Sequence, residues 1–156
     1  MANNNTRSDT GRLTDSPNRL VAAVFGVIYL LVGLLGFIQT GFDDFAGKNT
    51  DEKLLGIFEI NGLHNVVHLL IGAVLLAAAL RSRSVAKGAN TFVGGVYLLV
   101  GIIGLFIAND TSDLNILSLN GADNVLHLAS ALVLLGVALS QDKDVARGDV
   151  PGVPGV

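Results

Sequence analysis

The chain contains no cysteine, which removes disulfides, thiolate metal ligands and a cysteine nucleophile from consideration. Charge is scarce as well: 15% of its 156 residues are Asp, Glu, Lys or Arg, and the net charge at pH 7 is only −3. The basic residues sit in short flanks without interleaved aromatics, so nucleic acid is set aside as a partner. No His-Glu-x-x-His sequence occurs, and no Ser–His–Asp or acidic-dyad arrangement stands apart at helical spacing. No catalytic residue is therefore assigned.

What is abundant is apolar. Hydrophobic residues make up 51% of the chain, and the mean hydropathy is +0.59, values that point to the membrane class. Four segments carry this character: Arg19–Ile38, Asn61–Leu80, Asn90–Ala108 and Asn120–Leu139. Each is close to the ~20 residues that a helix needs to cross a hydrocarbon core. Arg7, Arg12 and Arg19 precede the first, but its apolar run exceeds the ~7–15 residues of a signal peptide and no small-x-small cleavage pattern follows. It is read as a retained span.

Lys and Arg are held preferentially on the cytoplasmic side of short loops. Arg7, Arg12, Arg19, Arg81, Arg83, Lys87, Lys143 and Arg147 fall on one side of a four-span topology, and only Lys48 and Lys53 on the other. Both termini are accordingly expected in the cytoplasm. The opposite loops are acidic, with Asp43, Asp44, Asp51, Glu52, Glu59, Asp110 and Asp113.

An internal duplication organises the spans. "FGVIYLLVGLLGF" at Phe25–Phe37 aligns without gaps on "VGGVYLLVGIIGL" at Val93–Leu105, and "NGLHNVVHLL" at Asn61–Leu70 on "NGADNVLHLA" at Asn120–Ala129. Two spans per copy give both copies the same orientation, so a pseudo-twofold axis along the membrane normal is expected. The predicted fold is all-α, a four-transmembrane-helix bundle from a duplicated two-helix repeat. Repeat one covers 16–83 and repeat two 88–140, with disordered segments at 1–15 and 141–156. Ser16 with Pro17 starts the first helix, Asn61 and Asn120 read as N-caps, and Asp123 completes a capping box with Asn120. Gly26 and Gly33, like Gly94 and Gly101, lie seven apart on the face that carries Tyr29 or Tyr97, suiting close helix approach or, alternatively, a Tyr-lined ligand surface.

Asn61, His64, Asn65 and His68 occupy positions i, i+3, i+4 and i+7, and Asn120, Asp123, Asn124 and His127 repeat the stripe. The pseudo-twofold turns the two stripes toward each other in the half of the bundle nearer the outer leaflet. Three readings stay open. Asn and His can simply hydrogen-bond between helices, in a structural or accessory module. His64, His68, Asp123 and His127 can ligate zinc or another borderline divalent ion, with a bis-histidine haem through His68 and His127 as a variant. Or the stripe can handle protons or a solute, which in a four-helix chain requires an oligomer or a membrane partner.

The doubled block N-x-x-H-N-x-x-H-L and N-x-x-D-N-x-x-H-L, preceded by "GIFEI" at Gly56–Ile60, resembles a family of small four-helix bacterial membrane proteins known only as a domain of unknown function. The similarity covers roughly Pro17 to Leu139. It implies a multi-pass protein of the bacterial inner membrane and supplies no activity. A looser similarity is to DoxX-like four-helix membrane proteins.

Overall fold

The computed structural model describes residues 12–42, 45–47, 52–108 and 112–140. Its elements are α1 (Pro17–Thr40), β1 (Lys53–Leu54), β2 (Phe58–Glu59), α2 (Gly62–Arg81), α3 (Arg83–Ile107) and α4 (Gly121–Ser140). All four helices are long and apolar enough to cross a membrane, and the chain is a multi-pass membrane protein of all-α class. Most of the expected disordered termini lies outside the described residues. Leu13–Asp15 form a 3-10 turn, closed by a bond from the Arg12 N–H to Asp15 Oδ2 at 3.0 Å. Leu13 rests against the core there.

Local chemistry sets the ends of the helices. Ser16 Oγ accepts from the Arg19 N–H at 3.3 Å while Pro17 occupies the first helical position. Gly41 ends α1 at φ 63, a left-handed conformation that favours glycine. α2 and α3 are separated by Ser82 alone, whose Oγ caps α3 through the Val85 N–H at 3.2 Å. Thus α3 starts at Arg83, two turns before the apolar segment that begins at Asn90. Those turns are charged outside and bury Ala86, so an apolar window does not register them. At the other end of the bundle β1 and β2 form a small antiparallel ladder before α2.

The helices pack in pairs, α1 on α2 and α3 on α4, through small residues. A Cβ at Gly26 would lie 2.7 Å from the Leu76 backbone N, and one at Gly72 would lie 2.7 Å from the Leu30 backbone N, so these two backbones touch. In the second pair, Gly94 faces the Leu135 side chain and Gly101 the Leu128 side chain. Ala22, Ala79, Ala86, Ala131, Leu75, Val93 and Leu134 fill the centre toward the Ser82 end. Leu31, Leu34, Ile38, Leu70, Phe92, Leu99, Leu132 and other large apolar side chains point outward. A water-soluble monomer rarely exposes so much apolar surface, whereas lipid solvates it.

At the Ser82 end one polar contact joins the two pairs and another reinforces the first pair. Asn90 Nδ2 donates to the Asn18 carbonyl and to its Oδ1, both at 3.0 Å. Arg19 Nε donates to the Ala79 carbonyl at 2.7 Å, at the C-terminal turn of α2. That carbonyl has no partner within its helix, and a cation suits the negative end of the dipole.

Candidate site at the loop end of the bundle

The two N-cap asparagines do more than cap. Asn61 Oδ1 accepts from the His64 N–H at 2.8 Å, while its Nδ2 donates to the Gly47 carbonyl at 2.9 Å and to the Ile116 carbonyl at 2.8 Å. Asn120 Oδ1 accepts from the Asp123 N–H at 3.0 Å, while its Nδ2 donates to the Ile57 carbonyl at 2.8 Å. Each cap therefore reaches into the loop that precedes the other polar helix. Asp123 Oδ2 accepts from the Asn120 N–H at 3.0 Å, which completes the capping box. Within the α3–α4 loop, Asn115 is buried and closes a turn through bonds to both backbone groups of Leu119.

Below the caps each stripe divides. Asn65 and Asn124 face their own partner helices: Asn65 Oδ1 lies against Gly36 and Asn124 Oδ1 against Gly104, where neither helix has room for a Cβ. Asn65 Nδ2 also donates to Thr40 Oγ1 at 3.0 Å. The histidines turn the other way, toward the opposite pair. His64 and His68 face each other Nε2 to Nε2 at 2.9 Å. The His127 ring centroid lies 6.0 Å from that of His64 and 6.3 Å from that of His68. One ligand nitrogen from each of the three falls within 4.8 Å of the others, and all three residues are buried. Asp123 is buried too, but its carboxylate serves the cap and is not part of this convergent group.

Aromatic rings frame the cluster. Tyr29 of α1 stacks on His68 of α2 with centroids 5.2 Å apart, and Tyr97 of α3 stacks on His127 of α4 at 5.0 Å. The two tyrosines meet at 5.3 Å. Tyr97 Oη lies 3.4 Å from His68 Nδ1. Ser130, buried on α4, stands near the Tyr29 hydroxyl, although that hydroxyl makes no hydrogen bond of good geometry. Nδ1 of His64 and Nδ1 of His127 are buried without a hydrogen-bond partner, and the backbone of Glu59 and Leu117 borders the His64 ring. Tyr97 Oη and Ser130 extend the polar set beyond the two stripes. Ser130, three residues past His127, was visible only as a continuation of the helical period.

A cavity of about 30 Å³ adjoins the three histidines, bounded further by Tyr97, Val67, Ile71, Val96, Val100 and Leu117. Its surface is apolar, and its volume is that of a small molecule. Three imidazoles that converge in an apolar enclosure can bind a borderline transition metal or share protons.

Residues 19–140 match the model of a protein family described as Domain of unknown function (DUF4383). No curated protein and no solved structure matches the chain.

Proposed function

The chain belongs to the DUF4383 family, and on that premise we propose that it is a membrane-embedded metal-binding protein whose site is built by His64, His68 and His127. The observation that carries this reading is the convergence of one nitrogen from each buried histidine within 4.8 Å. Three neutral imidazoles make a donor set suited to zinc or a similar borderline ion, and a site with three protein ligands keeps a further position open. Outer contacts of the expected kind support it. A ligating histidine usually donates its second ring N–H to an oxygen. His68 has Tyr97 Oη at 3.4 Å for this purpose, and His64 has the backbone of Glu59 and Leu117 beside it.

Packing alone explains less. As helix glue, the cluster leaves Nδ1 of His127 buried and unpaired, at a cost of about 1–3 kcal/mol. The contacts Tyr97 Oη to His68 Nδ1 and His68 Nε2 to His64 Nε2 also form a short chain of proton carriers. Among the described residues, however, Ala22, Leu75, Ala79 and Leu134 form an aliphatic layer beyond Ser130 toward the Ser82 end. That layer supports a closed site over a through-path.

The orientation belongs to the same proposal. Eight basic residues against two support cytoplasmic termini, an inner-membrane location and a site in the outer half of the bilayer. The paired contacts of Gly36 with Asn65 and Gly104 with Asn124, and of Tyr29 with His68 and Tyr97 with His127, support descent from a duplicated helix pair. Purification in detergent without chelator, followed by elemental analysis and a visible spectrum, tests the function. Stoichiometric transition metal without a Soret band is expected. Metal-free protein from cells grown with ample zinc, copper and iron would overturn it.

A further inference from the structure

We propose that the two loops at the histidine end of the bundle dip their tips, 55–57 and 114–116, into the bilayer interface, so that lipid meets the protein there as well as around its helices. The loop between α3 and α4 carries this furthest, because for a loop in water it is turned inside out. Its polar Asn115 and Ser118 are 1% and 0% exposed, while Leu114 and Ile116 are 72% and 50% exposed. The loop before α2 repeats the pattern. The register that lays Asn120 on Asn61 also lays Leu114 on Leu55 and Ile116 on Ile57, and both Leu55 and Ile57 point outward. Leu55 does so at φ 54, beside Gly56 at φ 75, in a left-handed turn that Gly, Asn or Asp suits better. A leucine held there serves what its side chain touches outside and not the turn.

Backbone pairing fits the same surroundings, since irregular backbone beside lipid must have its polar groups satisfied within the protein. The Ile57 carbonyl accepts from Asn120 Nδ2 and the Ile116 carbonyl from Asn61 Nδ2, each at 2.8 Å. The carbonyls behind the two exposed isoleucines are thus paired by the caps. Nearby charge is paired as well: Lys53 Nζ lies 3.4 Å from Glu59 Oε1, and Gln39 Nε2 donates to Glu52 Oε2 at 2.9 Å. Exposed Asp113, next to Leu114, holds the tips at the boundary between headgroups and acyl chains. Lipid is the occupant because this surface continues the one it already covers on the helices. Ile38 and Phe106, in the last turns of α1 and α3, and Phe42, just past α1, are all exposed.

The chain has no tryptophan and no cysteine, so a single introduced residue of either kind reports alone. Leu55→Trp and Leu114→Trp are placed in the full chain in phosphatidylcholine nanodiscs, with Leu99→Trp on the outward face of α3 as the lipid standard and N-acetyltryptophanamide as the water standard. Lipid brominated high on its acyl chains should quench both variants as strongly as Leu99→Trp, and quenching by iodide should be largely lost. Nitroxides on Leu55→Cys and Leu114→Cys give an independent reading, and should respond to oxygen more than to a water-soluble nickel chelate. Iodide quenching like that of the water standard, with no effect of bromolipid, would put the tips in water and overturn the proposal. Protection from both quenchers would show a second copy or another protein over the tips, and would overturn it too. Bromolipid quenching at one tip alone would overturn the paired immersion.

Discussion

Nε2 of His64 and Nε2 of His68 stand 2.9 Å apart, one turn from each other on α2. At that distance two neutral imidazoles share one proton, with Tyr97 Oη 3.4 Å from His68 Nδ1 on the far side of the second ring. An ion bound by both rings takes the proton's place. Anything that binds only the folded state stabilises it. Chelator treatment should thus lower the thermal midpoint of wild type measurably and leave that of His64→Ala unchanged. Equal shifts in the two proteins would contradict this.

Asp123→Ala separates a three-histidine site from a four-ligand one. Its carboxylate accepts from the Asn120 N–H and completes the cap, so its loss should cost about 1 kcal/mol of stability. Metal content should be unchanged, because the carboxylate is outside the convergent nitrogens. Metal loss in a variant that remains folded would restore Asp123 to the ligand set.

The cross-reaching caps predict an unequal pair. Asn61→Ser keeps a capping oxygen but loses the donors to the Gly47 and Ile116 carbonyls, which should cost about 1–3 kcal/mol. Asn120→Ser loses one bond, to the Ile57 carbonyl, from a half-exposed position, and should cost about 0.5–1.5 kcal/mol. Thermal unfolding in a single detergent compares them, and the reverse order would refute the assignment.

How much of this was legible in the sequence differs from residue to residue. The caps at Asn61 and Asn120 and the Asp123 capping box could be read because their chemistry is local, complete within four residues. The division of each stripe could not. Positions i, i+3, i+4 and i+7 cover a broad arc of helix, and the rotation that sends Asn65 to α1 while His64 faces α4 is set by the close approach at Gly36. Asn18 and Asn90 lie 72 residues apart in the chain, and nothing in either neighbourhood announces their bond. Arg19 counted in the sequence as a positive flank, and the charge rule says nothing of its buried bond to the Ala79 carbonyl.

Glycine substitutions should reveal an asymmetry between the two helix pairs. Gly26→Ala and Gly72→Ala drive a methyl into facing backbone, which cannot yield locally, and should cost about 1–3 kcal/mol each. Gly94→Ala meets the Leu135 side chain, which can change rotamer, and should cost less. Gly95→Ala meets nothing within 4 Å and should be neutral or stabilising by up to about 1 kcal/mol. Comparable losses at Gly26 and Gly95 would contradict this packing.

Topology is tested by reporter fusions placed after Ser140 and within the loop between α1 and β1. A cytoplasmic signal is expected from the first and a periplasmic one from the second. The opposite pair of signals would invert the chain and put the histidines in the inner half of the bilayer.

The most direct measurement of the three-histidine site is X-ray absorption at the zinc edge on wild type and His127→Ala. Wild type should show a nitrogen shell at about 2.0–2.1 Å with the multiple scattering of three imidazoles and no sulfur. In His127→Ala the bound zinc should be lost or its imidazole scattering reduced by a third. A wild-type spectrum without imidazole scattering, or one that His127→Ala leaves unchanged, would contradict the site.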